Sequence, residues 1–515
     1  MNLALSTKSL QKVAKGSTLL TMDAFVSALF GGLFWIIVAK FINPLQLGMA
    51  STAVSFITLL AVFANLGLHI GASRYMAEYN ELGMPLLSRR IARLSLKLCL
   101  AAGVVLGLTV SLLSNVIARQ LYSTKELTLF FVLVGIAIPV QGLVTVLDGI
   151  YRGAQRMDLM LYADSVEAIV KFGFVIIVVL LGFQGLGVVL AYLISYVAAL
   201  VLALPFWRRA MPRISLDHGG DVTAPPQDLT RKLLTFSTPN YVAAAATSLS
   251  NQFTVILLGV YTLIEVAYYN IAMLAVTVGL SGIATAVNFA LLPTATEEWV
   301  KGNLHGLGTL YNRITRLLLV ASGPLIIVGA VFPFTLLRLI SPSFVAASNA
   351  FRILALAGVL NGIGAPAIGV INAMNRAKTV MGIYLTAVVI SVVISLGLIP
   401  TLGMIGAGVA FTAPTLVIAL LSAFYLRSQK VSLQLSLMTR PLVFIFGAMV
   451  VGFVSLRFVG IALALLMTIL FYSFAVLLLG GLTKEDFGLI SQLTKGKVSL
   501  NWHSWMSLYA DLRGK

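Results

Sequence analysis

The sequence predicts an all-α polytopic membrane protein with fourteen transmembrane helices. Of its 515 residues, 59% are apolar and 10% are charged, whereas an average soluble domain has roughly 25% charged residues. The apolar residues form fourteen continuous runs, each about the 20 residues that a bilayer-spanning helix needs. Because the runs are continuous rather than alternating, they favour helices over membrane strands. This composition excludes a water-soluble globular protein.

The basic residues are divided unequally between the predicted connections. If the N-terminus lies inside, 28 of the 35 Lys and Arg residues fall on the cytoplasmic side, six fall outside, and Lys171 lies within a span. Cytoplasmic loops of membrane proteins carry such an excess of Lys and Arg. The net charge of +18 is therefore interpreted as topological, and no nucleic-acid partner is expected. Both termini are predicted to be cytoplasmic, in a multi-pass protein of the plasma or inner membrane.

The apolar runs divide the chain into successive groups of spans. The first run, residues 18–39, follows three lysines without a cleavage site and is predicted to be retained as span 1. Spans 2–14 centre near residues 58, 105, 137, 175, 194, 246, 278, 324, 362, 388, 415, 447 and 470. A polar, turn-rich stretch follows span 6 and has the composition of a linker. The predicted parts are an N-lobe (1–205), a cytoplasmic linker (206–231), a C-lobe (232–430), spans 13 and 14 (431–482) and a cytoplasmic tail (483–515).

The tail carries Trp502 and Trp505 among lysines and polar residues. This pattern suits a short helix in the membrane interface. A disordered tail is the alternative reading.

The two lobes have matching residues at a nearly constant offset. Glu78 matches Glu297 at 219 and Arg156 matches Arg376 at 220. Three glycines at 182, 185 and 187 recur 221 residues later. Six spans separate the copies, so each copy enters the bilayer in the same direction, as parallel repeats about an axis along the membrane normal. Two such repeats can enclose a central cavity.

The second span of each lobe carries a polar stripe at helical spacing. Its members are Ser51, Ser55, Thr58, Asn65 and His69 in span 2, and Asn270, Thr277, Ser281 and Asn288 in span 8. Residues at these spacings lie on one helix face. We interpret both stripes as cavity lining. Close packing between helices, which small and hydroxyl residues also favour, is the alternative.

Several motifs occur in a characteristic order along nearly the whole chain. They are NPLQLG (43–48), NLGL (65–68), SRYMAEY (73–79), YRGAQR (151–156), LIP (398–400) and GMIGAGVA (403–410). In order and spacing the chain resembles the polysaccharide-biosynthesis flippases of the multidrug/oligosaccharidyl-lipid/polysaccharide exporter superfamily. None of the motifs is catalytic. The resemblance implies two lobes that open alternately to either side and carry polyprenyl- or dolichyl-linked saccharides from the cytoplasmic to the outer leaflet.

Span 5 carries three charged residues on one face, namely Asp164, Glu167 and Lys171. Each charge at mid-bilayer costs roughly 2.5 to 3.5 kcal/mol on insertion scales, so these side chains should face protein or water. In the functional interpretation Lys171 binds the cargo phosphate, while Glu167 or Asp164 couples an ion or proton. In the alternative, Glu167 and Lys171 only neutralise each other at i,i+4. Asp23 in span 1 is either a further ion-coupling carboxylate or a polar residue near the interface.

Other polar residues are weaker candidates. Arg74 at the end of span 2 either meets the incoming phosphate or only sets the topology. Span 7 offers cavity or packing residues at Asn240, Ser248, Asn251 and Gln252.

No metal site and no cofactor are expected, because the four histidines lie at unrelated spacings and the single cysteine has no partner. No ATP-binding loop motif is found. Na⁺ and H⁺ are the candidate coupling ions.

The first functional hypothesis is a flippase for lipid-linked saccharide, and the second is a cation-coupled multidrug exporter. A membrane glycosyltransferase would need a larger extramembrane segment than the linker, and a pure scaffold would not need charges in the membrane. The expected partners are the lipid-linked saccharide, membrane lipids and glycosyltransferases of the same pathway. The protein is expected to act as a monomer, without enzymatic activity.

Overall fold

The predicted all-helical fold is confirmed by a computed structural model, which describes residues 7–210 and 226–478. Within these ranges every regular element is helical, and none is a strand. The α-helices are α1 (Thr7–Phe41), α2 (Pro44–Asn65), α3 (Leu68–Glu81), α4 (Pro85–Val116), α5 (Leu127–Gly153), α6 (Met157–Leu180), α7 (Gln184–Ala210), α8 (Pro226–Tyr261), α9 (Leu263–Val300), α10 (Leu304–Val331), α11 (Pro333–Ile340), α12 (Ser348–Ala373), α13 (Ala377–Leu402), α14 (Met404–Ser428), α15 (Leu435–Phe458) and α16 (Ile461–Leu478).

Ten helical segments of the described chain are long and apolar enough to cross a membrane. They lie in α1, α2, α4, α5, α7, α10, α12, α13, α14 and α15. The protein is therefore a multi-pass membrane protein. The remaining predicted spans also fall in helices, namely α6, α8, α9 and α16. Of these, α6 carries the three charged residues of predicted span 5, Asp164, Glu167 and Lys171.

The predicted linker is partly helical, because α7 runs to Ala210 and α8 begins at Pro226. Its centre, residues 211–225, lies outside the described residues, as does the predicted tail at 483–515.

The prediction of one continuous second span is wrong. The chain leaves the helix at Leu66 and Gly67, both with positive φ (50° and 71°), and resumes as α3. The Asn65 side chain accepts a hydrogen bond from the backbone N–H of His69 (3.3 Å) at the start of α3. The polar stripe is therefore divided between two helices, with His69 beyond the break.

The helices pack as two groups with a shared interface. We call α1–α7 the N-terminal bundle and α8–α14 the C-terminal bundle; α15 and α16 pack together, with α15 against α10. The centre of the interface is α2, which contacts α8 and α9 of the other bundle.

Helix boundaries recur between the two bundles. Helices α9, α10, α13 and α14 begin 219, 219, 220 and 220 residues after α2, α4, α6 and α7. The left-handed turn residues recur as well, with Gly83, Gln155 and Gly182 followed by Gly302, Asn375 and Gly403. The two halves of the chain thus share these four helix starts and three turn positions, as well as the residues noted above.

The two bundles approach each other closely at Gly48 of α2. A Cβ atom at this position would overlap the carbonyl oxygen of Leu263, at the start of α9. Three residues further along α2, Ser51 accepts a hydrogen bond from the Asn270 amide (2.9 Å). The absence of a side chain at Gly48 allows this contact.

We predict that Gly48→Ala lowers the midpoint of thermal unfolding of the purified protein, because overpacking a tight contact costs about 1–3 kcal/mol. Gly31→Ala on α1 is the matched control, since no atom lies within 4 Å of a Cβ there. The control should leave the midpoint unchanged or raise it slightly. Equal midpoints for Gly48→Ala and wild type would contradict the described contact between the bundles.

Candidate functional site

A cluster of charged side chains lies inside the N-terminal bundle. Helix α6 contributes three of the predicted residues, and α1, which packs on α6, contributes Asp23. Helix α7 closes another side of α6 with Tyr192 and Tyr196. The structure thus brings together Asp23, Asp164, Glu167 and Lys171 from two separate parts of the sequence.

The Lys171 side chain is mostly buried and lies between a carboxylate and an aromatic ring. Its Nζ atom is 3.2 Å from Oε1 of Glu167, and the two side chains are only 15% and 17% exposed. The same Nζ lies 4.7 Å from the ring centroid of Tyr192. A cation over an aromatic face is stabilised further. The ion pair between Glu167 and Lys171 is therefore formed in this structure.

The carboxyl groups of the cluster lie close together, and not all of their oxygens have a hydrogen-bond partner. The side chains of Asp23 and Asp164 lie at hydrogen-bonding distance from each other. Oδ1 of Asp23 and Oδ1 of Asp148 are buried and have no hydrogen-bond partner among the described residues. Carboxyl groups placed this close do not both remain charged without a proton or cation. The arrangement suits a group that takes up a proton or a small cation.

Asp148 and Arg152 are members of the cluster that the sequence analysis missed. They lie one turn apart on α5, and both are within electrostatic range of Asp23. Asp148 could have been selected from the sequence, because it is a carboxylate within the apolar run of predicted span 4. Arg152 was assigned only to the cytoplasmic excess of positive charge.

The predicted polar stripes meet at the interface between the bundles. Ser51 and Asn270, 219 residues apart, are hydrogen-bonded to each other. Ser55 is buried, while Thr58 and Thr277 bond to carbonyls of their own helices. At this level the stripes form a contact between helices, as the packing alternative describes. The side chains of Asn240, Ser281 and Asn288 lie outside the described part of the structure.

The Asn65 end of the stripe is occupied by a local contact. Its Oδ1 atom lies 2.8 Å from Nδ1 of His69.

Arg74 lies where α3 meets α8. Its guanidinium carbon is 4.0 Å from the ring centroid of Phe236. Beside it, Nζ of Lys232 is 3.4 Å from Oε1 of Glu78 and 3.2 Å from the hydroxyl oxygen of Tyr79. Arg74 is therefore part of an inter-bundle contact and remains exposed.

A cavity of about 230 Å³ lies inside the C-terminal bundle. Residues of α8, α12, α13 and α14 line it, including the predicted candidate Asn251 and also Asn361. Its neighbour Gln252 does not line this cavity. No partner for Asn251 was predicted on the other helices, because the lining residues of α12, α13 and α14 lie more than 100 positions away in the sequence.

No group of three or more His, Cys, Asp or Glu side chains in the described chain is arranged to hold a metal ion.

Comparison with known proteins identifies the family. The family described as "Polysaccharide biosynthesis protein" matches residues 13–299, more than half of the chain, and the MatE family matches residues 239–396.

Curated relatives share low identity over long alignments. An uncharacterised membrane protein of Methanocaldococcus jannaschii is 23% identical over 78% of this chain and 81% of its own length. Stage V sporulation protein B of Bacillus subtilis is 22% identical over 80% of this chain and 83% of its own. Lipid II flippase MurJ of the same organism is 22% identical over 60% of this chain and 62% of its own.

Solved structures share the fold. An inward-facing multidrug resistance MATE family transporter of the MOP superfamily superposes with a TM-score of 0.66 at 18% identity, covering 78% of this chain and 94% of that one. A MOP superfamily transporter from Pyrococcus furiosus gives a TM-score of 0.60 at 17% identity, with coverage of 82% and 98%. The chain therefore belongs to the polysaccharide biosynthesis protein family and has the fold of the MOP superfamily transporters.

Proposed function

We propose that the protein is a flippase that moves a saccharide linked to polyprenyl or dolichyl phosphate or pyrophosphate from the cytoplasmic to the outer leaflet. This transport would serve the assembly of cell-surface polysaccharide or glycan. The observation that carries the proposal is the intramembrane cation Lys171, held inside the bundle of a polysaccharide biosynthesis family member. The naming of one relative as a lipid II flippase supports it.

We propose an architecture of fourteen spans, adding α6, α8, α9 and α16 to the ten apolar segments. The N-lobe (1–205) and C-lobe (232–430), joined by the linker at 206–231, would be parallel repeats, with α15 and α16 outside the symmetry. The recurring helix starts and left-handed turns support this arrangement. Alternating access would then be a rocking of one lobe against the other around the α2 interface.

In the proposed mechanism the cargo phosphate replaces Glu167 as the partner of Lys171. A phosphate oxygen offers a charge-assisted hydrogen bond in the same position as the carboxylate. The Tyr192 ring holds the ammonium group in place during this exchange. The displaced Glu167 charge must then be compensated, which couples cargo binding to ion or proton uptake.

We propose Asp23 and Asp164 as the groups that take up the coupling ion, Na⁺ or H⁺. Their adjacent carboxyl groups and the unpartnered oxygen of Asp23 support this role. We propose no catalytic residue and no cofactor. The cargo would be supplied by glycosyltransferases of the same pathway, and the functional unit would be the monomer.

A cation-coupled multidrug exporter is the second candidate function. The specific observation in its favour is the excess of carboxyl groups in the cluster, which suits an organic cation, together with the shared fold of the MATE transporters. The pairing of Glu167 with Lys171 reduces that negative charge and favours an anionic cargo.

The proposed topology predicts that reporter fusions after Arg119, near Glu265 and after Arg457 report the outer side. The expectation rests on the excess of Lys and Arg on the other side. Fusions near Arg90 and Arg376 serve as cytoplasmic controls. A cytoplasmic signal at any of the three outer sites would contradict the fourteen-span arrangement.

The proposed role of Lys171 predicts that Lys171→Ala abolishes surface glycan in a complementation assay. Lys171→Arg should retain partial export, and Glu167→Gln should have a milder effect. Membrane abundance, measured by immunoblot, shows whether a variant is inserted.

Since Lys171→Ala leaves Glu167 unpaired, it can also destabilise the bundle by about 3–5 kcal/mol. The double variant Lys171→Ala with Glu167→Gln is the control, because it contains neither charge. It should be abundant and inactive. Near-normal export by an abundant double variant would show that the pair is structural and that the phosphate binds elsewhere, with Arg74 the next candidate.

A further inference from the structure

The cavity of the C-terminal bundle occupies the position that corresponds to the charged cluster of the N-terminal bundle. Three of its lining residues, Ile368, Tyr384 and Ala387, lie 220 positions after Asp148, Asp164 and Glu167. The same offset relates the starts of α6 and α13. Acidic side chains in the N-terminal bundle thus correspond to apolar or aromatic side chains in the C-terminal bundle.

Among the residues that the structure describes, no Asp, Glu, Lys, Arg or His side chain lines the cavity. Its polar groups are amides and hydroxyls, and its walls are apolar or aromatic. The polar and aromatic lining residues include Thr247, Asn251, Asn361, Tyr384, Phe411 and Thr415. A charged ligand would be desolvated there without a counter-charge, which is costly.

The two amides of the cavity are free to bind a ligand. Neither Asn251 nor Asn361 makes a side-chain hydrogen bond to any other residue that the structure describes. A purely hydrocarbon occupant would leave these donors and acceptors unsatisfied, at a cost in free energy for each group. An occupant therefore needs hydrogen-bonding groups as well as an apolar face.

Hydrogen bonds join the helices around the cavity. The Thr254 and Ser395 hydroxyls lie 3.2 Å apart, one turn beyond the cavity residues of α8 and two beyond those of α13. Ser391 of α13 donates to the carbonyl oxygen of Ala410 on α14 (3.1 Å). On another side of the cavity, the lining residues Thr247 and Asn361 are exposed. Hydrogen bonds therefore hold the helices around the cavity together, and the cavity is accessible at Thr247 and Asn361.

We propose that this cavity binds one uncharged sugar ring, the neutral glycan part of the cargo. Sugar hydroxyls match the amides of Asn251 and Asn361, and the C–H face of the ring matches the aromatic rings of Tyr384 and Phe411. The volume of 230 Å³ is below the roughly 300–1,000 Å³ of pockets that enclose a drug-sized ligand, which suits a single ring. This inference rests on the proposed function and assigns the glycan to the C-terminal bundle and the phosphate to the N-terminal one.

The test compares the binding of two probes to the purified full-length protein by native mass spectrometry. The probes are a polyprenyl pyrophosphate and the same lipid carrying one N-acetylglucosamine. Wild type should bind the sugar-bearing lipid about tenfold more tightly, as expected for two added hydrogen bonds. In Asn251→Leu with Asn361→Leu, the affinity for the bare lipid should be unchanged and the tenfold preference lost. Thr386→Leu, an exposed residue of α13 outside the lining, is the control and should retain the preference.

The inference is overturned if the double variant keeps the sugar preference. It is also overturned if the double variant loses affinity for both lipids equally, since the cavity would then hold the prenyl chain or the pyrophosphate.

A second measurement separates failure of this inference from failure of the proposed function. Thr247→Cys places a thiol at the accessible side of the cavity, and the single native cysteine, Cys99, is fully buried. Free N-acetylglucosamine at millimolar concentration should slow maleimide labelling of Thr247→Cys but not of Thr238→Cys, an exposed position on α8 outside the lining. Protection without binding of either lipid would contradict the flippase and retain the sugar site. Absence of protection together with absence of a sugar preference would overturn the sugar site.

Discussion

The burial of charge among membrane-spanning helices is the constraint on which the N-terminal bundle depends. Each charge at mid-bilayer costs roughly 2.5 to 3.5 kcal/mol on insertion scales, so the cluster is stable only while its members compensate one another. Glu167 and the Tyr192 ring compensate Lys171, whereas the adjacent carboxyl groups of Asp23 and Asp164 need a proton or a cation. These contacts require α1, α6 and α7 to remain packed together. A ligand that displaces one member of the Glu167–Lys171 pair must therefore supply the counter-charge that the displaced side chain provided.

The two halves of the chain differ in chemistry at positions that are related by the same sequence offset. In the N-terminal bundle the positions at 148, 164 and 167 are carboxylates, whereas the corresponding positions of the C-terminal bundle are apolar or aromatic and border a cavity. Several helix starts lie at a constant offset of 219 or 220 residues, while the side chains at these interior positions differ. This division suits a cargo with an anionic end and a neutral glycan, which is the reason for assigning one end to each bundle in the proposal.

Apolar run length and charge distribution were sufficient to predict the helical class and the approximate position of every long helix. They did not predict the break at Leu66 and Gly67, because a left-handed turn inside an apolar run leaves the hydropathy pattern intact. The short helix α11 was missed for a related reason, since its eight residues fall within a connection between predicted spans. Hydropathy reports the length of a segment in the membrane and is insensitive to its local backbone conformation.

The candidate site was predicted only where its residues share a helix. Asp164, Glu167 and Lys171 were grouped from their spacing on α6, but Asp148 and Tyr192 belong to other helices and join them only through packing. Ser51 and Asn270 were predicted as members of the polar stripes in spans 2 and 8, but the hydrogen bond between them was not predicted. The neutral cavity could not be found in the sequence, because its polar residues are spread over α8, α12 and α14.

Reconstitution into proteoliposomes tests the central claim most directly. A fluorescent lipid-linked saccharide and a fluorescent organic cation would be followed in the same vesicles, with and without an imposed Na⁺ or proton gradient. The account predicts movement of the lipid-linked saccharide between leaflets, faster with one of the two gradients, and loss of that acceleration in Asp164→Asn. Transport of the organic cation without movement of the lipid-linked saccharide would contradict it and assign the carboxyl cluster to drug export.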